Sequence, residues 1–191
     1  MKKLIVLCCL LNMFSIVSYA AASSKLDEAI KLAKQGDAEM QLRLGAYYIK
    51  KNENKAFKWG MKSAEQGNAD AQNLVGIFYM NGTGITKDET KAFQWFMKSA
   101  KQGNDQGQFW VGYFFKFAHG DVEDDNKAFE WLMKSAKQGN PEAQYFVGTS
   151  YFFGSGTLKD PIKAKYWIDK AYKGDSILAK GFWEANELWK Y

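Results

Sequence analysis

The sequence predicts an all-α fold: a right-handed α-solenoid of four 36-residue helix-turn-helix repeats with a capping helix at each end. Three ladders of recurring residues predict it. Lys55-Ala56-Phe57-Lys58-Trp59 returns as Lys91-Ala92-Phe93-Gln94-Trp95, as Lys127-Ala128-Phe129-Glu130-Trp131 and as Lys163-Ala164-Lys165-Tyr166-Trp167, so the tryptophans stand 36 residues apart each time. Glycines at Gly36, Gly67, Gly103, Gly139 and Gly174 form a second ladder, with gaps of 31, 36, 36 and 35 residues. Leu44-Gly45, Val75-Gly76, Val111-Gly112 and Val147-Gly148 form the third. A fixed period of this length marks stacked units, each of which buries its apolar face only against its neighbours.

Residues 1–20 read as a secretory signal. Lys2 and Lys3 supply a charged start, Leu4 to Val17 is apolar except for Asn12 and Ser15, and Ser18-Tyr19-Ala20 offers small residues for cleavage. That run is too short for a spanning helix, which needs roughly 20 apolar residues, so no stable membrane span is expected after cleavage. Leu7 stands before Cys8 where a lipoprotein signal wants a small residue. Cleavage after Ala20 removes both cysteines, Cys8 and Cys9, and lowers the formal net charge of +5 by two. A periplasmic or secreted location is the expectation.

The mature region, 21–191, is expected to fold as one solenoid. Ser24 to Gln35 is a lone helix, matching the second helix of a missing unit, with Glu28 where tryptophan would stand. Repeats follow at about 36–66, 67–102, 103–138 and 139–173, and a last helix over 175–190 carries Phe182, Trp183, Leu188 and Trp189. Within a repeat, the first helix starts at Asn68, Asn104 or Asn140 and the second at Asp88, Asp124 or Asp160, side chains that cap helix N-termini well. Pro141 and Pro161 each directly follow such a cap, the helical position where a missing N–H costs nothing. Ala92, Trp95, Phe96, Ser99 and Ala100 share one helical face. The recurring tryptophans, Trp131 among them, are expected in the core. Mid-helix Gly45, Gly76, Gly112 and Gly148 each cost about 1 kcal/mol against alanine, which implies a neighbouring helix so close that a Cβ would block it.

Composition excludes several functions. One histidine and two cysteines fall short of the four N/S ligands of a structural metal site, the expected cleavage leaves the histidine alone, and two cysteines cannot form a framework of two or more disulfides. The lysines are spread evenly, with no basic stripe of the kind nucleic acid needs. No Ser-x-x-Lys occurs, so the serine nucleophile pattern of penicillin-recognising enzymes is absent. His119 sits at an expected loop tip beside Gly120 and Asp121, without the flanking partners of a triad. Gly82-Thr83-Gly84 and Gly154-Ser155-Gly156 lack the third glycine of a dinucleotide fingerprint and read as inter-helix turns. The acidic run Glu123-Asp124-Asp125 opens a helix, where carboxylates are favoured by the macrodipole. No catalytic residue, cofactor or metal is predicted.

Ala69-Asp70-Ala71-Gln72, Val75-Gly76, Tyr79, Gly82-Thr83-Gly84-Ile85, Asp88, Lys91-Ala92, Trp95, Lys98-Ser99-Ala100 and Gln102-Gly103 together resemble the Sel-like repeat family, relatives of the tetratricopeptide repeats. The likeness covers nearly all of the mature region. The first unit departs from it by losing five residues between Tyr48 and Lys55, and the third by carrying Ala118-His119-Gly120 in the loop. The resemblance implies a binding scaffold and not an enzyme. A secreted branch of the family has a disulfide in each repeat and is associated with penicillin binding and β-lactam hydrolysis; the mature region here has no cysteine.

Positions that vary between units are free to serve a partner. On the first helices these are Leu42, Asn73, Phe109 and Tyr145; then Ala46, Ile77, Tyr113 and Thr149; then Ile49, Met80, Lys116 and Phe152. Spaced i, i+4 and i+7, they form one stripe. By resemblance to tetratricopeptide-like solenoids that stripe faces a concave groove, with Phe109, Tyr113, Tyr145 and Phe152 as an aromatic patch suited to an extended or helical peptide. The same rings are also readable as core between adjacent first helices. The expected function is a monomeric, exported scaffold that holds a protein or peptide in its groove. The alternatives are a penicillin-binding or β-lactam-hydrolysing protein and a carbohydrate or cell-wall binding module.

Overall fold

The computed structural model describes residues 24–117 and 124–185. The expected signal segment 1–20, the expected loop tip at His119 and the expected continuation of the last helix to residue 190 lie outside the described residues. Ten helices and no strand occur among the described residues: α1 (24–34), α2 (Ala38–Tyr48), α3 (Glu53–Glu65), α4 (Ala69–Asn81), α5 (Glu89–Lys101), α6 (Asp105–Lys116), α7 (Asp125–Lys137), α8 (Pro141–Phe153), α9 (Pro161–Lys173) and α10 (Ile177–Ala185).

The helix boundaries are set by caps that recur with the period. Asn68, Asn104 and Asn140 each accept the backbone N–H three residues on, and so open α4, α6 and α8. Asp88, Asp124 and Asp160 do the same for α5, α7 and α9. In the shortened first unit Asn52 takes this place, accepting Lys55 N–H at 2.9 Å. The second helices end in a left-handed residue, at φ 93° for Gly67 and 103° for Gly139. In the fourth unit this conformation falls on Asp175, at φ 65°, and not on Gly174, whose φ is −84°. The 35-residue gap in the glycine ladder is that one-residue displacement.

Packing runs from each helix to the next along the chain, with the tightest contacts inside each helix pair. The mid-helix glycines make this possible. A Cβ on Gly112 would stand 2.7 Å from Leu132 Cγ, 3.0 Å from Leu132 N and 3.1 Å from Ala128 O. At Gly148 the same Cβ would meet Ile168, at Gly76 the Phe96 ring, and at Gly45 the backbone of Gly60. The expected close approach is present in all four units. The residue facing each glycine lies one place beyond the recurring tryptophan: Phe96, Leu132 and Ile168 are fully buried there.

The tryptophans themselves are only half-buried, which corrects the expectation of a core position. Trp95, Trp131 and Trp167 pack against buried core residues, and each of the four rings has a lysine one turn later over it. Lys62, Lys98, Lys134 and Lys170 lie 5.0, 3.7, 4.0 and 5.3 Å from the ring centres of Trp59, Trp95, Trp131 and Trp167.

A ladder of buried amides stitches unit to unit. Gln41, Gln72, Gln108 and Gln144 donate to Ala33, Ala64, Ala100 and Ala136 O, the last turns of the preceding second helices. Gln66, Gln102 and Gln138 in turn donate to Gln41, Gln72 and Gln108 Oε1. Ser63, Ser99 and Ser135 donate to the opening carbonyl of their partner first helix. Ala171 and Gly174 stand at the serine and glutamine positions in the fourth unit, so the ladder ends there.

Candidate functional site

Four of the expected stripe residues, Phe109, Tyr113, Tyr145 and Phe152, meet in one aromatic cluster, and two of the stripe are buried. Phe109 is 7% exposed and packs in the core with Ala128, Leu132 and Val147. Thr149 is also buried and donates to Phe146 O within its own helix. These two positions are corrected: they build the stack and present no free face. The cause is the situation of the first helices. α6 has α5 on one side, α7 on another and α8 beyond, so most of its circumference meets protein.

Around Phe109 the rings run on continuously. Phe109 stands 6.1 Å from Phe146, Tyr113 lies 6.0 Å from Phe146 and 4.6 Å from Phe117, and Phe117 lies 5.9 Å from Phe146. Tyr145 continues the row to Phe146 and Phe182, and Phe152 closes it against Phe153 and Phe182. Burial raises the Tyr145 hydroxyl above the usual phenol range. The row thus spans α6, α8 and α10, all at first-helix positions of successive units.

Its exposed rings are Phe117, 47% accessible, and Phe153, 60% accessible. Both were absent from the expected stripe, as were Phe146 and Phe182. A signal existed: Phe117 and Phe153 are 36 residues apart, and the equivalent positions are Lys50 and Asn81, so the site varies between units. Phe117 is also four residues after Tyr113, the spacing that keeps it on the same face.

Further up the stack the stripe loses its rings. Ile77 and Met80 are half-buried and pack against the core built on Phe96 and Val111. Leu42 packs against Val75. Asn73 holds a buried Oδ1 with no hydrogen-bond partner.

Lys116 leaves the stripe altogether. Its ammonium donates to Asp125 Oδ1 at 3.0 Å and to Ser155 Oγ at 2.8 Å, while Ser155 Oγ donates to Asp125 Oδ2 at 2.6 Å. The three residues tie α6, the start of α7 and the loop after α8 together. The hydrogen bond from Ser155, then Lys116, holds the Asp125 carboxyl below its usual range. The arrangement clamps two units, with Lys116 ion-paired to Asp125 at 3.0 Å.

Among the described residues no three metal-ligating side chains cluster, and no helix is long and apolar enough to cross a membrane.

A family model described as the Sel1 repeat matches residues 38–68, 69–104, 105–140 and 141–176. Each match opens two residues after the repeat boundary read from the sequence. No curated protein matches the chain significantly. Among solved structures, it is similar to a Sel1 repeat protein from Oxalobacter formigenes, with 31% identity and a TM-score of 0.78 over 85% of this chain and 68% of that one. It is also similar to c5321, a protective antigen of uropathogenic Escherichia coli strains displaying an SLR fold, with 29% identity and a TM-score of 0.77. The match covers 85% of this chain and 36% of c5321, so the chain spans about a third of that relative. Helicobacter pylori cysteine rich protein B shares the fold at 21% identity and a TM-score of 0.53, over 69% of this chain and 98% of its own. Four consecutive repeat matches, on a helical stack that superposes on solved Sel1 repeat proteins, leave one assignment: the chain belongs to the Sel1 repeat family.

Proposed function

We propose that this protein is an exported interaction scaffold that holds a peptide or protein segment along its first-helix face, against the aromatic row from Phe117 to Phe153. Membership of the Sel1 repeat family gives the coarse function, a protein–protein interaction scaffold. Export rests on the charged, apolar and small-residue pattern of residues 1–20.

The observation that carries the binding face is the row itself. Rings from three successive units touch in tilted and edge-to-face pairs, and two of them keep about half of their surface in water. Stacking needs none of that exposed area, since the buried core runs through Phe109, Leu132 and Val147. Large, stiff aromatic side chains lose little entropy on contact, which is why they anchor protein interfaces.

Selection from a displayed peptide library on the purified protein tests this. Selected peptides are expected to bind the parent, and Phe117→Ala with Phe153→Ala should weaken them at least about thirtyfold, the loss for truncating anchor aromatics. Helix content should be unchanged. Full binding by the double variant would remove the aromatic row from the proposal. Turnover of a chromogenic β-lactam, abolished by a single substitution, would replace the scaffold with a hydrolase.

A further inference from the structure

The outward faces of α5, α7 and α9 share one pattern of compensated charge, and α3 breaks it. Lys91, Lys127 and Lys163 each pair at 3.0 Å with the capping aspartate of their own helix, Asp88, Asp124 and Asp160. They also lie 5.3–5.6 Å from the rings of Tyr79, Phe115 and Tyr151. In α3 the equivalent lysine is Lys55, over Tyr48 at 5.4 Å, but its helix is capped by the neutral Asn52. One turn on, Lys58 stands where the other units have Gln94, Glu130 and Tyr166. Lys62 keeps its place above Trp59. Among the described residues no carboxylate lies within ion-pair distance of these three lysines.

Beneath them is a cleft. It measures about 340 Å³ and is lined by Ile30, Tyr48, Lys55, Lys58, Trp59 and Lys62. Ile30 occupies the position held by the longer Met61, Met97 and Met133 in the following units, which leaves room beside Trp59. Apolar walls with a few convergent charged groups are the usual build of a binding cleft.

We infer that this cleft, between α1 and α3, binds an acidic peptide segment carrying one apolar side chain. The side chain seats between Ile30 and Trp59, and flanking carboxylates meet Lys55, Lys58 and Lys62. The spacing favours a chain over a single small anion. From Lys55 to Lys62 is seven residues of helix, roughly 10 Å, about the reach of three residues of extended peptide. The inference rests on the scaffold reading but uses the second-helix face, so it stands or falls separately from the Phe117–Phe153 row.

Fluorescence anisotropy of a labelled Glu-Asp-Phe-Asp-Glu peptide with the purified protein tests it, at low and at high salt. Saturable binding is expected, weakened by salt because the contacts are exposed charges. Replacing the peptide phenylalanine by alanine should weaken it about tenfold, as should Lys58→Glu in the protein. Asn52→Asp should weaken it at least about threefold by giving Lys55 the partner its counterparts have. Because aspartate caps the other three second helices, that variant keeps its fold. Lys98→Glu, at the Lys62 position of the next unit, should leave binding unchanged. The inference is overturned by absence of saturable binding, by equal effects of Lys58→Glu and Lys98→Glu, or by insensitivity to Asn52→Asp. Binding to phosphatidylglycerol vesicles that Lys58→Glu abolishes, with no binding of the peptide, would overturn it in favour of a lipid surface.

Discussion

Replacing Gly112 by alanine sets two effects of known sign against each other. Alanine is the better helix former by about 1 kcal/mol in a helix interior, so on propensity alone the variant gains. Against this, the new Cβ would lie 2.7 Å from Leu132 Cγ, 3.0 Å from Leu132 N and 3.1 Å from Ala128 O, where ordinary contact begins at 3.4 Å. Two of those atoms belong to the α7 backbone and the third to a fully buried side chain, so none can swing aside. Overpacking of this kind costs typically 1–3 kcal/mol, and separating α6 from α7 also loosens the Phe109 core. The net expectation is a loss of up to about 2 kcal/mol, at roughly 2–4 °C in melting temperature per kcal/mol for a chain of this size. Gly181 supplies the control. It lies inside α10 with nothing within 4 Å of the added Cβ, so Gly181→Ala should gain up to about 1 kcal/mol. Thermal melts followed by circular dichroism read both. A Gly112→Ala protein stabilised as much as Gly181→Ala would refute the close-packing account of the glycine ladder.

Phe109→Ala should lower stability by about 3–5 kcal/mol, as truncation of a core phenylalanine does, while Phe117→Ala, at an exposed ring, should cost well under half of that; equal losses in denaturant unfolding would contradict the division of the row into core and surface. Gln108→Ala removes two hydrogen bonds of the ladder, those to Ala100 O and from the Gln138 amide, and should cost about 1–3 kcal/mol at about 0.5–1.5 kcal/mol each; an unchanged unfolding midpoint would show that water replaces the ladder. The carboxyls of Asp88, Asp124 and Asp160 are held below their usual range, first by the backbone N–H of Lys91, Lys127 and Lys163 and then by their ammonium groups. A depressed native pKa contributes stability above the unfolded carboxylate value and loses it as pH falls through the native one. Melting temperature should therefore hold from pH 7 down to about 5 and fall below about 4; a flat profile to strong acid would refute the role of the caps.

The stack was legible in the sequence because its causes are periodic. Asn68, Asn104 and Asn140 recur where backbone donors need an acceptor, and Gly76, Gly112 and Gly148 recur where two helices touch. The binding face was legible only in part. A helix such as α6 or α8 is enclosed by neighbours on several sides, so apolar residues occur nearly all round it, and a 3.6-residue period no longer separates core from surface. Phe109 and Thr149 therefore share the period of surface positions although they are buried, while Phe117, just past the end of α6, is exposed. Trp131 misled in the opposite direction, since recurrence here reflects a ring clamped beneath Lys134 and not full burial. The Lys116–Asp125–Ser155 clamp joins residues from two units whose spacing carries no motif, so only tertiary structure brings it to view.

Hydrogen–deuterium exchange of the protein, with and without a library-selected peptide, tests the proposed binding face most directly. The account predicts slowed exchange in 105–117 and 141–153, the helices that carry Phe117 and Phe153, with the second helices unchanged. Slowing confined to α5, α7 and α9 would place the partner on the opposite face and contradict it.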